Sequence, residues 1–471
     1  MSSAARLKPS RVATIMGVAT WAILAVAPAP AAAQPLVPSP GTPITLTDAV
    51  QIALNQNVTV RQARNTIEQS ATNVRQARMQ FLPNFSLNTG TNTNVGRNFD
   101  QNEGRIINKT SQSVSAGVSS GVTIFNGYQN VANLRSAQAN EEATEQTFSR
   151  TQQTVVFTVA SNFLALVTNQ EQLGVQEQNL IAQEALQDQV ERFVQAGTRA
   201  VSDLYQQQAA VASARLAVLT ARQALDLAEV DLVQTLQLDP SQDYTFVPPL
   251  LSDTAAIVAD SLPGLPRYDL DSLLAQAFVQ RADLSAQLSR LEAAEQSIRS
   301  ARGGRLPSVS MSLGYNSAYT NANDLGFFNQ FDQRRGGSVG LSVSLPIFDR
   351  GNASINTQQA ELQLENARLT LEQQRQGVAL EVKRALLDYE AAQEQLVAAA
   401  AQKRAADLAA TTMQERYRVG AATLVEVTQT RASQVQAASA YVNARYNLVF
   451  QQSLMSYYTG ALNINQTPLA P

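Results

Sequence analysis

"FLPNFSLNTG", Phe81 to Gly90, and "RLPSVSMSLG", Arg305 to Gly314, decide the fold. Each places Leu-Pro after a helical run and then alternates apolar with small polar residues. Proline removes a backbone donor and ends the helix, and a period of two marks a strand. Pro307 follows Pro83 by 224 positions. At that offset Leu46 pairs with Leu270, Ala53 with Ala277, Glu68 with Glu292, Arg75 with Arg299 and Gly90 with Gly314. Beyond the first loop the offset is 223, matching Ile124-Phe125 with Ile347-Phe348, Gly197 with Gly420, and Asp203 with Glu426. A register held to one residue over about 190 positions indicates a duplication.

The segments follow from this register. Residues 46–238 form repeat one, with strands at about 83–97 and 112–125. A connector at 239–269 holds Pro240, Pro248, Pro249, Pro263 and Pro266 and cannot be a continuous helix. Residues 270–461 form repeat two, with strands at about 307–319 and 337–348. An extended segment, 34–45, precedes the repeats, and a tail, 462–471, follows them. Each repeat opens with a helix, from about 46 to 80 and from about 270 to 301, behind a capping signal at Thr45 or Asp269. Two alternating stretches follow. Val114, Ala116, Val118, Val122 and Ile124 line one face against Ser113, Ser115, Gly117, Ser119 and Gly121. Val309, Met311, Leu313 and Tyr315, and likewise Val339, Leu341, Val343 and Leu345, alternate with Ser and Gly. A long helical run then begins after Phe125 or Phe348, without proline from Asn126 to Asp239 or from Asp349 to Thr467. Val155, Val159, Phe163 and Leu166 form an apolar stripe, echoed by Val378, Val382, Leu386 and Tyr389. A helix of about 65 residues is roughly 100 Å long, which points to a coiled-coil-like array.

Composition narrows the function. The 471 residues carry 15% charged and 6% aromatic side chains and a net charge of −3, with no electrostatic footprint for nucleic acid. With neither His nor Cys, the sequence lacks thiol nucleophiles, disulfides, the usual metal sites and the commonest general base. No enzyme, metal or cofactor is expected, and no nucleotide-binding loop occurs. Arg6, Lys8 and Arg11 precede the apolar run Val12 to Ala27, and "APAPAAAQ" follows. This is a signal peptide at 1–33, with cleavage expected after Ala33, or alternatively an N-terminal anchor. No later segment reaches about 18 uninterrupted apolar residues, so a membrane would be entered only as β-structure.

Four strands of about ten residues suit a bilayer crossing, yet four cannot close a barrel, and an open edge in lipid leaves backbone groups unpaired. Several chains must therefore contribute: two would give eight strands with a filled interior, and three would give twelve with room for a lumen. The alternative is a soluble sheet covered by helices, which the Ser/Gly-rich second face disfavours. The long helices are rich in Gln, Ala, Asn and Ser and poor in charge, which fits packed multi-chain helices better than a solvated coiled coil.

This plan resembles the TolC-like outer membrane factors of Gram-negative bacteria. The resemblance covers nearly the whole chain after the signal segment. It rests on "FLPNFSL" and "RLPSVSMSLG" opening strands, "IFNG" and "PIFDRG" closing strand pairs, "RFVQAGTRAVSDL" and "RYRVGAATLVEV" as turns, and "ARYNLVFQQSLMSYYTGAL" as a closing helix. It implies a mainly α fold with a small β part: a homotrimer whose twelve-stranded barrel in outer membrane lipid continues as a long α-helical barrel through the periplasm. The connector then falls in an equatorial region. It also implies a gated tip, a periplasmic adapter protein and an inner-membrane RND or ABC transporter as partners. The function expected is a passive exit duct for multidrug efflux or type I protein secretion. A periplasmic or surface coiled coil without a pore is the alternative.

Carried onto this sequence, the resemblance places the gate in the two turns. Gly197 and Gly420 are suited to left-handed helix caps and to adapter docking. Glu426, just after Gly420, becomes a pore ring when three copies meet, or simply caps its helix. The family's second acid is Gln429 here, and its basic lock is Ala422, while Arg199 holds the matching place in repeat one. Arg199, Asp203 and Tyr417 are expected to share the closing network, with Glu426 as the ring.

Overall fold

The computed structural model describes residues 43–100, 104–108, 110–247, 267–321 and 325–462. The signal segment, nearly all of 34–45, the middle of the connector and the tail beyond Leu462 lie outside the described residues.

β1 (Pro43–Ile44) leads into α1 (Leu46–Gln56) and α2 (Val58–Met79), followed by β2 (Asn84–Asn94), β3 (Arg97–Asp100), β4 (Arg105–Asn108) and β5 (Ser111–Asn126). α3 (Gln129–Gln195), α4 (Val201–Leu236) and β6 (Thr245–Phe246) complete the first half. The second half is α5 (Leu270–Gln280), α6 (Ala282–Gly303), β7 (Ser308–Thr320), α7 (Phe327–Gln333), β8 (Gly336–Ser344), α8 (Asn352–Arg418) and α9 (Leu424–Thr459). Corresponding helices have equal lengths: 11 residues in α1 and α5, 22 in α2 and α6, 67 in α3 and α8, and 36 in α4 and α9. The fold is a duplicated helix–strand–strand–long-helix unit, mainly α with a small β part.

The capping signals act as read. Thr45 and Asp48 close a capping box on α1, and the Asp269 carboxylate accepts from Ser272 N at 3.0 Å. The opening helix of each half is nevertheless not continuous. One residue in extended conformation, Asn57 or Arg281, splits it. Asn57 accepts from Thr59 N at 2.9 Å and donates to Thr235 O at 3.1 Å, so its amide competes with the helical ladder. Arg281, 2% exposed, forms a bidentate pair with Asp283 at 3.0 and 2.6 Å and also reaches Glu381 of α8.

The four long strands form one antiparallel sheet ordered β2-β5-β7-β8. Its register sorts the residues into two faces. Phe85, Leu87, Val114, Val118, Val122, Met311, Leu313, Tyr315, Val339 and Leu341 share one face, and Phe85 and Leu87 are each 77% exposed. Ser86, Asn88, Ser115, Ser119, Ser312, Gly314, Ser338 and Gly340 share the other. On that face Ser86 and Ser119 join hydroxyls at 2.7 Å, and Gly314 sits against Ser338 as Ser312 does against Gly340, leaving no room for larger pairs.

The strand limits need four corrections. β8 stops at Ser344 rather than near 348, because Pro346 has no N–H to continue the ladder. A bulge between Thr123 and Phe125 brings Phe125, not Ile124, opposite Val309. The first loop folds into the separate hairpin β3–β4, and the second contains the short helix α7. β2 itself ends at Asn94, short of 97.

The long helices are set back-to-back. α3 packs on α4, α6 and α2, and α8 packs on α9 and α6. The two stripes read from sequence are buried, with Val159, Phe163 and Val382 fully so. Phe163 anchors a core with α1, α4 and α9, and Tyr389 anchors its counterpart with α5 and α9. At the sheet–helix junction Gly127, at φ +65°, crosses Gly303 so closely that a Cβ on either would strike the other's backbone. This crossing ties β5 of one half to α6 of the other. Among the described residues, no helix is long and apolar enough to cross a membrane.

Candidate functional site

The turns α3–α4 and α8–α9 lie at the far end of two 67-residue helices, roughly 100 Å from the sheet. Both are Schellman caps. Gly197 N–H donates to Val194 O at 3.0 Å and Thr198 N–H to Phe193 O at 2.9 Å. In the second turn Gly420 N–H donates to Tyr417 O at 3.1 Å and Ala421 N–H to Arg416 O at 2.8 Å. Gly197 and Gly420 have φ of +72° and +79° with open space where a Cβ would stand, so conformation alone selects glycine.

Arg199 joins the two turns. Its Nη2 donates to the carbonyl of Ala422 at 3.2 Å, and its guanidinium carbon lies 4.9 Å from the centroid of the Tyr417 ring. Arg199 and Ala422 are matched positions of the two repeats, so the residue of one turn clasps its own counterpart in the other. The Tyr417 ring is fully buried and meets Phe193 edge-on at 6.1 Å, within a cluster of Leu186, Val190, Ala422, Leu424 and Val427. Its hydroxyl has no hydrogen-bond partner among the described residues. Burial pushes that hydroxyl's pKa up, the Arg199 charge offsets part of this, and the Asp203 charge adds to it. Asp203 therefore acts on Tyr417 through space, and its side chain makes no hydrogen bond or ion pair among the described residues.

Glu426 is placed differently. Its Oε2 accepts from the N–H and hydroxyl of Thr423 at 2.7 and 2.9 Å, and its own N–H donates to Thr423 Oγ1 at 3.3 Å. This capping box starts α9. The Thr423 N–H first, then its hydroxyl, with Arg416 beyond, hold the Glu426 carboxyl below its ordinary pKa. α4 has no such box, because Ala200 occupies its cap position. Asp203 and Glu426, equivalent in sequence, thus differ in setting: the first makes no side-chain bond among the described residues, and the second closes a helix end while staying exposed. Gln429, one turn on, is exposed and lies outside the Arg199 network. Sequence reading missed Phe193 and Thr423. The "TLVE" spacing, Thr423 to Glu426, was a legible capping signal; Phe193 carried none, because its counterpart in repeat two is Arg416. No acidic group among the described residues is clustered to hold a metal.

A sheet with an apolar outer face and a hydroxylic inner face, carrying long helical hairpins with interlocked turns, defines an outer membrane channel protein. The model of the outer membrane efflux protein family matches residues 49–236 and 273–460, once in each repeat, and the chain belongs to that family. It is 22% identical over 356 residues to the outer membrane efflux protein BepC of Brucella suis, covering 75% of this chain and 74% of that one. It is 23% identical over 398 residues to the outer membrane protein TolC of Escherichia coli, covering 83% and 77%. The solved outer-membrane channel OprN superposes with a TM-score of 0.74 at 21% identity, over 89% of this chain and 91% of that one. The protein is located in the outer membrane of a Gram-negative cell, extends into the periplasm, and is a channel rather than an enzyme.

Proposed function

We propose that three copies close edge to edge, β8 of one on β2 of the next, into a twelve-stranded barrel whose helices continue as a periplasmic tunnel. The observation that carries this is the sheet. Its apolar face is exposed, its β2 and β8 edges have no strand partner among the described residues, and an unpaired edge in lipid is costly. The tunnel is the passive exit duct of a tripartite system for multidrug efflux or type I secretion. An inner-membrane RND or ABC transporter supplies the energy, and a periplasmic adapter docks at the turns around Gly197 and Gly420.

The turns form the gate. Arg199 takes the locking role left open by Ala422, through the Tyr417 ring and the Ala422 carbonyl, and Asp203 tunes the cluster. Glu426 forms the ring at the pore, with Gln429 behind it. Cysteines introduced beside Gly420 in a chain without native cysteine test the docking. Crosslinking in intact cells should capture an adapter, and capture of copies of this chain alone would oppose the tripartite reading.

A further inference from the structure

We infer that α7 and the two arginines behind it are an anchor for phosphorylated lipid headgroups at the cell-surface boundary of the membrane. The inference rests on the barrel reading above and adds a binding surface to it.

β8 starts opposite Asn316, so the last four residues of β7 extend beyond β8. α7 fills that place. Thr320 N–H donates to Gln330 Oε1 at 3.0 Å, and Gln330 Nε2 donates to Thr320 O at 2.9 Å and to Leu325 O at 2.6 Å. Ser317 Oγ donates to Phe331 O at 2.6 Å. Gln330 is fully buried, so the short helix is a fixed part of the rim.

Ser317 and Tyr319 belong to the apolar face of the sheet, in line with Leu313 and Tyr315. The Phe327 ring lies 5.0 Å from Tyr319, 4.7 Å from Phe331 and 5.5 Å from Phe328. This aromatic cluster thus continues the lipid-facing surface beyond β8, and Phe328, 85% exposed, is its outermost member. Depth agrees. The ten residue steps from Val309 to Tyr319 advance about 33 Å along the strand. At barrel tilt that is about 25 Å of membrane normal, the height of an outer-membrane apolar band. Phe327 and Phe328 then stand at the band's outer limit, where aromatic rings are favoured.

The charges suit the same layer. Arg334 and Arg335 directly follow α7 and are exposed. Asp332 holds Arg335 at 2.9 Å, and Arg334 makes no ion pair among the described residues. Exposed guanidinium groups that follow an aromatic helix at this boundary fit a phosphate above an acyl chain.

The test uses the full-length protein reconstituted in liposomes of brominated phosphatidylcholine, with Phe328→Trp as probe and Leu341→Trp, mid-face on β8, as control. The parent spectrum is subtracted for Trp21, the sole tryptophan of the sequence. Bromines near the headgroup should quench the Phe328→Trp emission about twofold, and bromines near the chain ends should quench the Leu341→Trp emission instead. Quenching of the control alone, with the Phe328 probe in water or covered by protein, overturns the anchor and leaves the barrel standing. Quenching of neither overturns the barrel reading itself. For the headgroup, native mass spectrometry should show several-fold less diphosphorylated lipid A retained by the Arg334→Gln, Arg335→Gln double variant than by the parent. Equal retention would refute the phosphate contact.

Discussion

Replacing Arg199 with alanine removes the side chain that both bonds the Ala422 carbonyl and covers the Tyr417 ring, a loss whose size follows from the geometry. A guanidinium over an aromatic ring contributes about 0.5–2 kcal/mol, depending on burial. Its hydrogen bond to a carbonyl adds about 1.5–3 kcal/mol in favourable cases. Arg199 is half-buried, so the lower ends apply and the clasp stabilises the closed turns by about 2 kcal/mol per chain. In the proposed trimer three copies give about 6 kcal/mol, and inverting a two-state population from 1:99 to 99:1 takes about 5.5 kcal/mol. Arg199→Ala should therefore convert a closed channel into a mostly open one. Planar-bilayer recording should show a higher mean conductance and open fraction, and cells carrying the variant should become sensitive to large antibiotics. Arg199→Lys should open it partly, because an ammonium keeps the charge without the planar fork. Tyr417 separates this account from one based on its hydroxyl. That hydroxyl has no hydrogen-bond partner among the described residues, so Tyr417→Phe should keep the channel closed, whereas Tyr417→Leu should open it. Wild-type conductance in Arg199→Ala would refute the clasp. A Tyr417→Phe channel as open as Tyr417→Leu would show that the ring face is not what holds it.

Other residues give independent checks. Glu426→Gln should lower single-channel cation selectivity and weaken block by divalent cations, and unchanged values of both would rule out the ring. Phe163→Ala, at the centre of the first core, should cost about 3–5 kcal/mol and lower the thermal denaturation midpoint. Arg281→Ala leaves Asp283 and Glu381 without their buried partner and should cost about 2–4 kcal/mol at neutral pH; the Glu381 arm contributes less, since that side chain is 42% exposed. Burial pushes the Asp283 pKa up, but its bonds to Arg281 and the nearby cations outweigh this and hold it below the ordinary value. A depressed folded pKa means the stabilisation is complete above the ordinary Asp value of about 3.9 and is lost as pH falls through the folded value. The stability gap between wild type and Asp283→Asn, followed by denaturant titration, should accordingly close in acid; a gap that widens there would contradict the assignment.

Much of the fold was legible because duplication makes weak signals confirm one another. The Pro83 and Pro307 stretches, each ambiguous alone, located strands in both halves, and the stripes ending at Leu166 and Tyr389 marked both cores. What stayed hidden depends on single side chains acting at a distance. Asn57 sits at a helix break where it reaches Thr235, and Arg281 sits at the matching break, where its pair with Asp283 is extended to Glu381; the Thr235 and Glu381 contacts are ones no local pattern encodes. α7 escaped notice because "FFNQFDQ" is too short for a period and is held by the long-range bonds of Gln330. At the turns, Asp203 and Glu426 occupy matched positions of the two repeats, with Asp203 expected in the closing network and Glu426 as the ring. The difference between Ala200 and Thr423 at the cap gives Glu426 a capping box that Asp203 lacks.

The central claim is that one chain supplies a third of a barrel wall. Since the protein has no cysteine, single cysteines at Leu87, Thr89 or Thr91 of β2 can be combined with single cysteines at Val339 or Leu341 of β8 and oxidised in isolated outer membranes. The account predicts a ladder of covalent species that ends at three copies, from the pairs that fall in register. Crosslinks confined to one chain, or a ladder ending at two or running beyond three, would contradict it.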